Sequence, residues 1–141
     1  YLPYLGFGAG AHGFFGNTRT ENVGLIPKYI NRLQQDSVGG FPVSQAAKQV
    51  NHLNRWEHIQ ENLMVSLRLT QEGVSMREMN ERYQVKLINL FGPQINRLVR
   101  LGLLEYFENG ERLRLTRNGR FLGNQVFLEF IDNPVPDNFA L

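Results

Sequence analysis

The stretch LLEYFENGERLRLT, residues 103–116, decides the architecture of this chain. Asn109-Gly110 stands between two short alternating runs, 103–107 and 112–115. It is the pair a type I′ turn demands, because both central residues of that turn take positive φ. The stretch therefore predicts a β-hairpin. Upstream, Leu53, Trp56, Ile59, Leu63 and Leu67 recur at three or four residues and mark a helix that ends before Gly73. Ser75-Met-Arg-Glu78 is an S-x-x-E capping box, with Val74 and Met79 placed as a hydrophobic staple, and it opens a short helix over 76–83. A third helix carries Leu87, Phe91, Ile95, Leu98 and Leu101 and stops at Gly102. Gly92-Pro93 lies inside it, so that helix either restarts or kinks there. Three helices followed by a hairpin is the order of a winged helix. After the hairpin, Thr116 is placed to cap a last helix over 117–131 with Phe121, Leu122, Val126 and Phe130 on its apolar face, and 132–141 reads as a loose tail. The predicted fold is mostly α with a β-hairpin, of α+β class, with a winged-helix-like domain over 51–131.

Ahead of that domain the pattern changes. YLGFGAGAHGFFG, residues 4–16, holds five of the chain's 14 glycines. Residues 4–9 lack a helical period and run into glycines, which predicts a short buried strand ending in a loop. Helical patterns dominate the chain beyond it, so this strand is expected to pair with strands outside the chain. The strand and Gly-rich turn within residues 1–26 then belong to a sheet whose other members lie outside the chain, which is expected to be a piece of something longer. Residues 17–24 read as a polar turn, and Pro27 opens a helix over 28–35. Gly39-Gly40 and Pro42 make 37–43 a linker, so 27–50 is a short helix plus linker.

Composition narrows the chemistry. The 141 residues include no cysteine, which excludes disulfides, thiol nucleophiles, Cys-ligated zinc and an iron–sulfur cluster held by this chain itself. Absent cysteine also favours an intracellular, cytoplasmic setting. The net charge of +2 implies no long-range field. No apolar run approaches the roughly 18 residues of a membrane span.

The Gly-rich run is the leading candidate site, with Gly6, Gly8, Gly10, His12 and Gly13 as candidate cofactor-binding residues. It lacks the G-K-[ST] of a P-loop. Gly8, Gly10 and Gly13 fit G-x-G-x-x-G, but the βαβ unit and the acidic ribose-binding residue that give that motif meaning are missing. The glycines either let the chain turn tightly or let its backbone approach a ligand. His12 is the one titratable group within the run, able to ligate iron or to hydrogen-bond locally. Arg19, Glu21 and Asn22 come next as anchors of the loop. His52 and His58, six apart, do not align on a helix as a metal pair. Arg97, Arg100, Arg112, Arg114, Arg117 and Arg120 outline a possible DNA-contacting wing. Against it, residues 55–131 hold 11 Arg/Lys and nine Asp/Glu, with Glu108 and Glu111 at the wing tip. Duplex affinity depends on neutralising phosphates, and this balance leaves little charge for that. Trp56, Tyr83, Phe91, Tyr106 and Phe107 divide between core and an exposed lid or protein-docking surface.

The motifs taken together resemble a family. In order they are Y-x-G-x-G-A-G-A-H-G, then Thr18-Arg-Thr-Glu-Asn22 and Tyr29-Ile30, then Glu61-Asn-Leu-Met-Val-Ser-Leu-Arg68-Leu with Gly73-Val74. Leu98-x-x-Leu101-Gly-Leu103, Leu115-Thr-x-x-Gly119, Asn124 and Phe127-Leu-Glu-Phe130 complete the set. The chain resembles the C-terminal part of radical SAM proteins related to oxygen-independent coproporphyrinogen III oxidase, most closely the HemW-type heme-chaperone branch. The resemblance implies that residues 1–26 are the terminal strand and Gly-rich turn of a truncated α/β barrel, and that the chain is the C-terminal piece of a parent whose barrel binds S-adenosylmethionine and a [4Fe-4S] cluster through a CxxxCxxC-type motif that this chain does not contain. It also implies heme or a porphyrinogen as ligand, the barrel and a heme-receiving protein as partners, and no catalysis by this stretch alone. The H-N-x-x-Y-W element associated with heme handling in that branch precedes the Gly-rich turn, so no residue here is assigned to it.

Overall fold

The computed structural model describes residues 2–35, 40–136 and 139; part of the expected linker, 36–39, and most of the end of the expected tail lie outside the described residues. The chain divides into two units, Leu2–Asn54 and Arg55–Leu141.

In the first unit β1 (His12–Phe15), β2 (Thr18–Asn22) and β3 (Ala47–His52) form an antiparallel sheet in the order β1-β2-β3. Helix α1 (Ile26–Leu33) lies between β2 and β3 in sequence and carries Pro27 in its first turn. Gly16, at φ +62°, occupies the first central position of the two-residue β1–β2 turn, where a side chain would strain the backbone. This sheet corrects three expectations. Residues 4–9 are not a strand: Tyr4 makes a single bridge to Phe14, through bonds of 2.7 and 2.8 Å. Residues 18–22 are a strand rather than a polar turn, and 47–52, expected to be mostly linker, supply the third strand. The sequences TRTEN and AKQVNH are largely polar, so no apolar alternation marks them as strands. Backbone pairing across 25 or more residues holds them.

The second unit runs α2 (Arg55–Arg68), β4 (Val74–Ser75), α3 (Met76–Tyr83), α4 (Leu87–Arg100), β5 (Leu104–Phe107), β6 (Arg112–Leu115), α5 (Arg117–Phe121) and α6 (Gly123–Ile131). Its sheet has the order β4-β6-β5. The predicted turn forms: Glu111 N–H donates to the Glu108 carbonyl at 3.1 Å, with Asn109 at φ 56° and Gly110 at φ 87°. The caps form too. Ser75 Oγ accepts from Glu78 N–H at 3.2 Å, and Thr116 Oγ1 accepts from Gly119 N–H at 2.9 Å. At the end of α4, Gly102 (φ +67°) is left-handed. There Leu103 N–H donates to the Leu98 carbonyl and Gly102 N–H to that of Val99, both at 2.9 Å, the paired bonds of a Schellman motif. Gly92-Pro93 kinks α4 without ending it: Phe91 leaves helical geometry (φ −126°, ψ 17°), because Pro93 lacks an N–H and crowds the carbonyl four residues back.

The single last helix expected over 117–131 is two helices. They break at Leu122 (φ −108°, ψ 19°). Asn118, Gly119, Gly123 and Asn124 crowd poor helix formers into seven residues. The break buries Val126, Phe127 and Phe130 but leaves Phe121 82% exposed, which corrects its assignment to the apolar face.

The α2 stripe, Trp56, Ile59, Leu63 and Leu67, is buried in the core of this unit. Trp56 stacks on Phe91 at 5.1 Å, and Phe91 meets Phe130 edge-on at 5.5 Å. Gln60, itself buried, donates to the carbonyls of Phe130, Ile131 and Asn133 and so closes the end of α6. Of the aromatics divided between core and surface, Trp56, Tyr83 and Phe91 are core and Tyr106 is exposed.

Tyr83 sets a pH limit on this core. Its hydroxyl accepts from Asn62 Nδ2 at 2.9 Å and lies 3.1 Å from His58 Nδ1. Burial pushes the phenol above its ordinary value, and the Asn62 bond only partly offsets this. A raised folded-state value means the contribution is whole below the unfolded-state pKa, about 10, and is lost as pH rises through the folded value. Urea midpoints measured from pH 8 to 12 should fall more steeply above pH ~10 for the native chain than for Tyr83→Phe.

Candidate functional site

The Gly-rich loop is built on Asn22. This residue ends β2, is 4% exposed, and donates from Nδ2 to the carbonyls of Gly6 at 3.2 Å and Gly8 at 3.0 Å. Its Oδ1 accepts from Ser44 Oγ at 3.1 Å. Gly10 N–H donates to the Val23 carbonyl at 2.9 Å, and Gly8 N–H to the Tyr29 hydroxyl at 3.1 Å. One amide side chain thus carries two carbonyls of a loop that has no ladder of its own.

The five candidate residues separate by environment. A Cβ at Gly6 would meet the His12 carbonyl oxygen at 2.1 Å, and one at Gly13 would meet Thr20 Oγ1 at 2.8 Å. Those two glycines are required by the packing of the chain on itself. Gly8 (φ +107°) and Gly10 (φ +71°) are different: an added Cβ meets nothing within 4 Å at Gly8 and only the Gly24 Cα, at 3.8 Å, at Gly10. Their positive φ demands glycine, and the backbone there is open.

His12 is exposed on the sheet, with Nε2 3.9 Å from Glu21 Oε1. Glu21 pairs with Lys48 at 2.7 Å, and that hydrogen bond holds its carboxyl below its ordinary value against an opposing desolvation, with the ammonium charge adding to it. His12 and Glu21 lie beside a hollow of about 590 Å³ that Arg19, Gln49 and Asn51 also line. Gly6 instead borders a second hollow of about 430 Å³, more apolar, among Leu5, Phe7, Tyr29, Leu33 and Phe41. The structure therefore does not gather the five candidates around one point. Sequence reasoning placed Asn22 only as a loop anchor and missed Ser44; the polar cluster Thr18–Asn22 was the available signal.

His52 Nδ1 lies 3.1 Å from Thr18 Oγ1, and His58 belongs to the Tyr83 cluster. Among the described residues no group of three or more His, Asp or Glu could hold a metal ion, and no helix is long and apolar enough to cross a membrane. On the hairpin, Arg112 pairs with Glu108 at 3.0 Å and Glu78 at 3.7 Å, Arg114 with Glu105 at 2.7 Å, and Arg97 of α4 with Glu129 at 3.0 Å. Three of the six arginines that outlined a DNA-contacting face, Arg97, Arg112 and Arg114, are thus paired within the unit.

Residues 53–122 match the family described as the HemN C-terminal domain. The chain is 38% identical over 128 residues to the heme chaperone HemW of Bacillus subtilis, an alignment that covers 91% of this chain and 31% of that protein. It is 28% identical over 130 residues to the heme chaperone HemW of Lactococcus lactis, again covering 91% and 31%. Among solved structures, the coproporphyrinogen III oxidase HemN of Escherichia coli, described as a radical SAM enzyme, shares the fold. The TM-score is 0.64 at 18% identity, over 92% of this chain and 28% of that one. The chain spans a little under a third of the length of the curated relatives it matches. By these matches residues 53–122 belong to the HemN C-terminal domain family, and the chain over 91% of its length is similar to heme chaperone HemW proteins.

Proposed function

We propose that this chain serves a radical SAM protein in heme handling or porphyrin biosynthesis. Its Leu2–Asn54 unit forms the final edge of the barrel, and its Arg55–Leu141 unit is a winged helix that shapes the tetrapyrrole-facing side. The observation that carries this reading is the surface of the first unit. Every apolar residue of α1 is at least partly open: Ile26, Ile30 and Leu33 are exposed, at 66, 49 and 46%. Phe7 and Phe41 beside the Gly-rich loop are exposed at 84 and 69%. The buried apolar residues of the unit are only Phe14, Val23 and Ala46 among those described. An apolar surface of this extent on so small a core is what a surface covered by further protein looks like. The relatives are about three times as long, and the barrel portion of such a parent is the matching cover. The winged-helix reading rests on the order α2-β4-α3-α4-β5-β6 with β6 between β4 and β5.

A [4Fe-4S] cluster needs thiolates, and a chain without cysteine does not fit as its ligand set. S-adenosylmethionine supplies radical chemistry to proteins of this family. Gly8 and Gly10 fit a close approach of that molecule or of a tetrapyrrole, since the space beside their α-carbons is open, and His12 presents an exposed imidazole from the same loop's end. Gly6 and Gly13 support the loop without touching ligand. The pairing of Arg97, Arg112 and Arg114 with glutamates disfavours the nucleic-acid reading.

The test is a hemin titration of the chain followed by its Soret band. Binding to the native chain, weakened at least tenfold in His12→Ala, is the expected result. Equal affinity of the two proteins would remove His12 from the ligand side.

A further inference from the structure

The second unit carries a hollow of about 480 Å³ that the proposed function leaves unused. Its floor is apolar, formed by the buried Leu115 and Phe127. Arg68 and Arg120 line it, and Phe121 stands at its rim with 82% of its surface open. Among the described residues no carboxylate lines it.

The two arginines differ from the paired arginines of this unit. Arg77, Arg97, Arg112 and Arg114 each pair with a glutamate. Among the described residues Arg68 and Arg120 pair with none. The Arg68 guanidinium lies 4.9 Å from the centroid of the Phe127 ring, and Arg120 reaches only the Thr70 carbonyl, at 3.5 Å. The Phe127 ring therefore positions one cation while its outward donors stay available. Three of the motif stretches converge here: 61–69 through Arg68, 115–119 through Leu115, and Asn124. Packing and capping explain Leu115, Thr116 and Gly119, but they leave Arg68 without a structural role beyond that ring.

We propose that this hollow binds a planar apolar molecule bearing carboxylates. The ring system covers Leu115, Phe127 and Phe121, and removing that surface from water drives binding. The carboxylates take Arg68 and Arg120, whose forked donors match them in charge-assisted pairs. A porphyrin with its propionates has this chemistry. To that extent the proposal rests on the tetrapyrrole reading, whereas the carboxylate site itself does not.

The experiment is a fluorescence titration of the full chain with pyrenebutyrate and with pyrenebutanol, the same ring system without a carboxylate. The acid should bind at least tenfold more tightly than the alcohol. Arg68→Gln and Arg120→Gln should each weaken the acid about tenfold and leave the alcohol unchanged. Phe121→Ser should weaken both. All three side chains are exposed, and thermal melts confirm folding; if Arg68→Gln lowers the melt through lost packing on Phe127, Arg120→Gln and Phe121→Ser decide. Equal binding of acid and alcohol, or variants within twofold of the native chain, overturns the proposal. Displacement of pyrenebutyrate by protoporphyrin IX supports a tetrapyrrole ligand. Arginine-dependent pyrenebutyrate binding without displacement rejects the tetrapyrrole and keeps the carboxylate site. His12→Ala should alter hemin binding at the loop and leave pyrenebutyrate binding unchanged, so the two sites fail separately.

Discussion

Gly119→Ala lowers the stability of the chain by about 3 kcal/mol, a large share of what a domain of this size has. The new Cβ would lie 2.0 Å from the Leu103 carbonyl oxygen and 2.9 Å from its carbonyl carbon. Both are backbone atoms, so no rotamer change relieves the contact. That oxygen cannot retreat, because it accepts from Thr116 N–H at 3.0 Å. Thr116 is held in turn by its own side chain, which donates to the Gly102 carbonyl at 2.6 Å and accepts from Gly119 N–H. The L-T-x-x-G stretch is thus a seam. Thr116 ends β6, caps α5 and fastens to the end of α4, and Gly119 lets α5 lie directly on the backbone. Urea denaturation followed by far-UV circular dichroism measures the effect. Gly92→Ala serves as control: its Cβ would come no closer than 3.6 Å, to Ile88 side-chain carbons, so stability should change by less than about 1 kcal/mol. Equal midpoints for the two variants would refute the seam.

Asn22→Ala frees the Gly-rich loop. The substitution removes both donations to the Gly6 and Gly8 carbonyls and the acceptor of the Ser44 hydroxyl. A buried polar group left without a partner costs about 1–3 kcal/mol, and the expected loss is about 3 kcal/mol. The core of the Leu2–Asn54 unit is small, so this loss is felt there first. Amide exchange at Gly8 and Gly10 should quicken by more than tenfold while amides of α2 and α4 keep their protection. Unchanged exchange at Gly8 would mean that the glycines hold the loop without Asn22. If the loop is the ligand-side element, the same variant should lose hemin affinity although it touches no ligand.

These two positions show why the motifs were legible while their roles were not. The turn at Asn109-Gly110, the caps at Ser75 and Thr116 and the C-terminal Gly102 all act within six residues of chain. A left-handed φ or an orphan N–H leaves a local signature in residue type. The α2 stripe was readable for the same reason, since its period of 3.6 belongs to the helix itself. Gly6, Gly13 and Gly119 were visible only as glycines. What excludes a Cβ at each is a carbonyl or hydroxyl brought close by the fold.

The sequence by itself determined the second unit as far as its helices, its hairpin and most of its core, because capping, turn chemistry and amphipathic period are local. Only the tertiary structure decided the rest. Polar strands TRTEN and AKQVNH pair across 25 or more residues, with no apolar alternation to announce them. The last helix breaks so that Val126, Phe127 and Phe130 can reach the core at the expense of Phe121. Which arginines meet a glutamate, and which remain open beside an apolar floor, depends on neighbours up to 34 residues away along the chain, as for Arg112 and Glu78. Charge counts over the sequence cannot resolve such pairing, because electrostatic partnership is a matter of distance in space.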